Sequence, residues 1–242
     1  MRVRQVAKWS RRLTLLRIST IAIIVTSLLS ISIMAVTYYG DKVGNYIVSV
    51  KKDTLWGLSL SEMPDFTSSS ANLIAPGVKN LTNITYGTIN PSDKTHLGGS
   101  HNRYEGNQGM YFAYTFYLRN ESTQPVSYNA TIDIEGEFLD VSSAVRIMVI
   151  KDGLSTIYAK ARPDGTAEDH QYLEQNNAGY GYSTQMFLDG KHIVNQKYII
   201  GLKETHKYTV ILWLEGEDEQ CTNAIKGGSI RLAMGFEISS KK

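Results

Sequence analysis

Few side chains in this sequence have the type and spacing that chemistry needs. His96 and His101 lie in a run rich in Gly, Ser and Asn, and no nearby carboxylate or cysteine completes a metal set around them. Serines are plentiful, but no G-x-S-x-G elbow presents one as a nucleophile. Cys221 is the single cysteine and follows Glu217, Asp218 and Glu219, which hold a thiol protonated and make it a poor nucleophile. It reads as a loop or edge cysteine. Glu215, Glu217, Asp218 and Glu219 offer the hard oxygen ligands that calcium takes, without the D-x-[DN]-x-[DN]-G spacing of an EF-hand. A solvated hairpin loop is the better account of them. Asn80, Asn83, Asn120 and Asn129 each begin an N-x-[ST] tripeptide, which matters only in a eukaryotic secretory pathway. No glycine-rich phosphate loop is present. The expectation is a protein that is not an enzyme, with no catalytic, cofactor-binding or metal-binding residue assigned and no cofactor.

The net charge of +2 conceals a segregation. Six of the 25 Lys and Arg residues precede residue 18, which leaves 19 against 23 Asp and Glu and a remainder near −4. A mildly acidic body lacks the electrostatic footprint for nucleic acid. A lone cysteine cannot form an internal disulfide, so the fold relies on its core.

The basic cluster abuts 22 uncharged residues, Ile18–Tyr39. As a helix they would extend about 33 Å, enough for a hydrocarbon core, and the charge asymmetry places the N-terminus inside. Residues 1–39 are therefore read as a signal peptide or an N-terminal transmembrane anchor, and residues 40–242 as one extracellular domain. The length of the stretch favours an anchor. Its Ser and Thr residues and the small-residue site Ile33-Met34-Ala35 favour cleavage after Ala35.

The body must be built from strands. Val126, Tyr128, Ala130, Ile132 and Ile134 alternate with polar residues, the pattern of a half-buried antiparallel strand. Met110–Arg119, Tyr208–Leu214 and Ile230–Ile238 alternate in the same way, and Asp152-Gly153 joins Val145–Lys151 to Leu154–Lys160 as a hairpin. Tyr46–Lys51 and Leu55–Ser61 are shorter candidates. Seven to nine strands without an amphipathic helix predict an all-β protein: a jelly-roll-like antiparallel β-sandwich preceded by one N-terminal hydrophobic helix. Residues 62–109 and 161–197 read as long loops or excursions.

Three segments carry a family resemblance. Ala35–Val48 (AVTYYGDKVGNYIV), Tyr114–Glu121 (YTFYLRNE) and the closing Trp213–Phe236 resemble TasA/camelysin-like surface and biofilm-matrix proteins of Gram-positive bacteria. The resemblance covers about a third of the chain; the Ser/Asn-rich insert and the long leader depart from it. It implies a jelly-roll subunit of extracellular fibres, joined by giving an N-terminal strand, here around Tyr38–Lys51, to a neighbour. The partners so implied are further copies of the chain or a related matrix subunit, and the membrane through residues 18–39 if the leader stays. The competing expectation is a membrane-tethered adhesin or a carbohydrate- or protein-binding β-sandwich module.

Overall fold

The computed structural model describes residues 17–31, 46–51, 57–78, 80–101, 110–172 and 180–241. Compact units comprise Met1–Val43 and Gly44–Lys242. In the first, residues 17–31 are helical, with Ile21, Ile24, Leu28 and other apolar side chains more than half exposed around the helix. Its hydroxyls turn back on their own backbone: Thr26 donates to the Ala22 carbonyl at 2.9 Å and Ser27 to that of Ile23 at 2.7 Å. Among the described residues no helix is long and apolar enough to cross a membrane. The expected cleavage after Ala35 lies outside them.

The second unit holds the strands β1 (Tyr46–Val50), β2 (Leu58–Ser61), β3 (Asn72–Ala75), β4 (Asn83–Ile84), β5 (Gly99–His101), β6 (Phe112–Asn120), β7 (Val126–Phe138), β8 (Val145–Lys151), β9 (Leu154–Ala159), β10 (His170–Tyr172), β11 (Tyr180–Tyr182), β12 (Gln185–Met186), β13 (His192–Ile200), β14 (Thr205–Glu215) and β15 (Ser229–Lys241). One sheet runs β13-β7-β15-β1-β3 and a larger one β12-β9-β8-β14-β6-β2, with β4 added to β14 and β5 to β6. The all-β, sandwich-like expectation holds.

The period-two pattern explains the layering. From the larger sheet Phe116, Leu118, Tyr208 and Val210 point inward, and from the smaller sheet Tyr128, Ile132, Met234 and Phe236 meet them. Phe116 stacks on Tyr208 with centroids 5.5 Å apart, and Phe236 closes on both at 6.0 and 5.3 Å. The hydroxyls of Tyr128 and Tyr208 satisfy one another at 2.7 Å, and burial drives both phenols well above their ordinary pKa. At the predicted hairpin, Asp152 and Gly153 take φ of 49° and 87°, the pair of positive values that such a turn requires.

Three findings depart from expectation. β1 runs parallel to β15, so the smaller sheet is mixed rather than purely antiparallel. The two excursions are partly structured. They cover the outer face of the larger sheet and build a second core there, in which Ile84, Ile89 and Tyr182 pack with Trp213, Ile211 and Met148. β6 is consequently buried on both faces. The stretch read as an excursion to residue 197 also contains most of β13, a nine-residue strand paired along β7. Its register shifts between His192 and Val194, so Ile193 and Val194 are both buried and strict alternation is lost.

Candidate functional site

The residues singled out for chemistry are separated by the fold. His96 and His101 stack face to face with centroids 3.9 Å apart, but they do not converge on a common point as ligands. His96 Nε2 contacts the Gly98 carbonyl at 2.8 Å. His101 lies between Asp93 at 3.2 Å and the Thr115 hydroxyl at 3.1 Å, which in turn meets that of Thr209 at 2.9 Å. Asp93, overlooked in the sequence, thus joins the histidine pair and also accepts from Tyr111. Thr115 is fully buried, so this Asp-His-Thr line fastens the 91–101 segment onto β6 rather than exposing a nucleophile. Gly98 fits there because a Cβ would stand 1.8 Å from the Glu62 carbonyl oxygen. Among the described residues no three His, Cys, Asp or Glu side chains converge as a metal set.

The acidic loop is not simply solvated. Glu217 and Glu219 are exposed, whereas Glu215 and Asp218 turn inward and are buried. Asp218 accepts from Arg146 Nη2 at 2.6 Å, and Glu168 lies 3.4 Å from the same nitrogen and 3.1 Å from Arg162 Nε. Glu215 accepts from the Tyr182 hydroxyl at 2.8 Å and from the Trp213 indole at 3.0 Å. The covered outer face of the larger sheet buries Arg146, and a buried guanidinium requires carboxylates, which draws in Asp218; Glu215 is buried against Tyr182 and Trp213. A single basic residue in the otherwise apolar run Val145–Ile150 is the sequence signal that could have exposed this network. Asn120 also has a structural task. Its side-chain amide donates to the Gln124 and Gly201 carbonyls at 2.8 and 2.9 Å in a fully buried position that no glycan could share.

The connection from β14 to β15 then passes from this network to an opening between the sheets. A cavity of about 1150 Å³ lies at the end of the sandwich where β6, β8, β1 and β15 begin and β14 finishes. Its wall is apolar and drawn from both layers: Tyr46, Phe112, Val145, Val210, Leu212 and Leu232. Its rim is polar and exposed: Asn80, Thr82, Asn83, Thr222, Asn223 and Lys226. Cys221 stands half-buried in the wall. Burial first, and then the nearby Asp218 and Glu215, raise its thiol above the ordinary range, in the direction expected from the sequence.

Comparison with protein-family models, curated proteins and solved structures found no match to this chain. Its features must therefore be read from its own geometry.

β1 forms one side of the cavity. It occupies a slot inside the smaller sheet, parallel to β15 from Tyr46↔Leu232 to Val50↔Phe236 and antiparallel to β3. Tyr46, Val48 and Val50 are buried in the sandwich, and the Tyr46 hydroxyl donates to the Met234 sulfur at 3.0 Å. Of the segment expected to act as a donor strand, residues 38–45 lie outside the described residues.

Proposed function

We propose that the chain is an exported structural subunit of a cell-surface or extracellular matrix, and that copies join by exchanging β1. One observation carries this reading: the first strand of the β-unit fills an interior slot of a sheet, between β15 and β3, instead of lying at an edge. A strand in such a slot contributes a full set of ladder bonds and three buried side chains, and an identical strand from a neighbour would contribute the same set. The leader supports export, since a basic cluster followed by an uncharged run is the pattern of an N-in signal or anchor. The large apolar side chains of residues 17–31, all more than half exposed, favour an apolar environment.

Cysteines at Ile47 and Ala233, directly paired across β1 and β15, test the exchange in a Cys221→Ser background. Oxidation during assembly of residues 36–242 should give a ladder of disulfide-linked oligomers, and deletion of Tyr38–Lys51 should abolish concentration-dependent fibres. Crosslinks confined within single chains, or fibres that survive the deletion, would remove strand exchange.

A further inference from the structure

We propose that the cavity between the sheets binds a long-chain carboxylate, with the hydrocarbon tail between the layers and the head at the rim. Four observations support this, and none depends on β1 exchanging between copies.

The first is size. Protein interiors are close-packed, with few voids larger than a water molecule, whereas this space matches or exceeds the range of small-molecule pockets. The second is wall chemistry. Valine and leucine predominate, and the one buried polar group, the Tyr46 hydroxyl, is already committed to Met234. Between the layers the described lining is mainly hydrocarbon, with polar groups gathered at the rim, which suits an alkyl chain and penalises a peptide or sugar with its own polar groups to satisfy. Third, the rim supplies what a carboxylate head needs. Lys226 is the only charged residue lining the cavity among the described residues, and it has no ion-pair partner among them. Asn80, Asn83, Thr222 and Asn223 surround it with amide and hydroxyl donors. The acids of the same loop do not line the cavity, and Asp218 is held by Arg146. Fourth, Val78, Leu81, Leu214 and Ile230 line the cavity only partly covered, so apolar area remains that a tail would remove from water.

The test uses the full chain in phospholipid nanodiscs and a photoreactive hexadecanoate. Illumination should place adducts on the peptides containing Val210–Leu214 and Ile225–Leu232, competed by plain hexadecanoate. Cys221, the only thiol, reports occupancy independently: probe at about ten times its Kd should slow alkylation roughly tenfold. Leu212→Trp, which narrows the space between the layers, should weaken both signals. Lys226→Glu changes only an exposed rim residue and leaves the packed core untouched. It should weaken hexadecanoate roughly tenfold while leaving hexadecanol binding unchanged. Adducts confined to residues 18–39, or a Cys221 rate that ignores the probe, would overturn the proposal. So would crosslinking that joins two chains through the cavity, because the occupant would then be a second copy. Equal loss of acid and alcohol in Lys226→Glu would refute the carboxylate head.

Discussion

The connection between β14 and β15 is anchored in its first half and open in its second. Asp218 and Glu215 lie beneath the covering layer on the outer face of the larger sheet, where Arg146, Tyr182 and Trp213 satisfy them. A few residues later, Thr222, Asn223 and Lys226 stand at the mouth of a space that no side chain among the described residues fills. The same short segment thus joins a buried ion-pair network to the rim of an open space. Side chains in the first half hold the architecture, so substitution there costs stability. The second half can change with little effect on folding, which leaves it available for recognition.

The sharpest way to break this contrast is Arg146→Ala. It leaves Asp218 buried without its cation and Glu168 with Arg162 alone, and should cost about 3–5 kcal/mol, measured by urea denaturation. A loss below about 1 kcal/mol would mean that the network is not what anchors the loop. Next come paired truncations within the sandwich. Phe116→Ala, in the stacked aromatic centre, should cost about 3–5 kcal/mol, whereas Leu214→Ala, facing the cavity, should cost less than about 1.5 kcal/mol. Equal losses would show that the cavity end is as closely packed as the centre.

A smaller effect is expected from acid. Burial lowers the pKa of His101 from its usual 6.5, against the opposing pull of its hydrogen bond to Asp93. The unfolded chain then binds the proton more readily, so this contribution is intact above pH 6.5 and is lost as pH falls through the folded-state pKa. His101→Gln should flatten the acid side of the stability profile below pH 6.5 without shifting the alkaline side. Smallest of all is a kinetic difference: Cys221 should alkylate more slowly than a free cysteine at neutral pH, with its half-reactive pH displaced upward.

The legible part of the fold was the part with one buried face and one regular period. β7 and β15 alternate cleanly, and the Asp152-Gly153 turn carries its own conformational signature. β13 escaped because a bulge sets two consecutive apolar residues inward. The covering layer escaped for a different reason. Its elements are two to five residues long, and residues such as Ile84 and Tyr182 pack on Trp213 and Met148, an interaction that no local pattern records. Glu215 and Asp218 looked like surface acids because a run of four carboxylates usually is one; Arg146 holds Asp218 inside, and Tyr182 and Trp213 hold Glu215. The cavity had no sequence signal, since the same valines and leucines would read identically in a filled core.

The order of strands in the smaller sheet has a consequence for how the molecule is made. β15, the last strand along the chain, lies between β7 and β1 rather than at a margin. On a ribosome β1 emerges early and β7 midway, and neither can acquire its central neighbour until β15 has been made. The sheet therefore closes late and all at once, through contacts between segments nearly two hundred positions apart in sequence. Loss of the thirteen residues of β15 would divide the sheet instead of trimming it. Until β15 joins, β7 and β1 each present an unsatisfied strand edge, the feature that exposes a chain to edge-to-edge association.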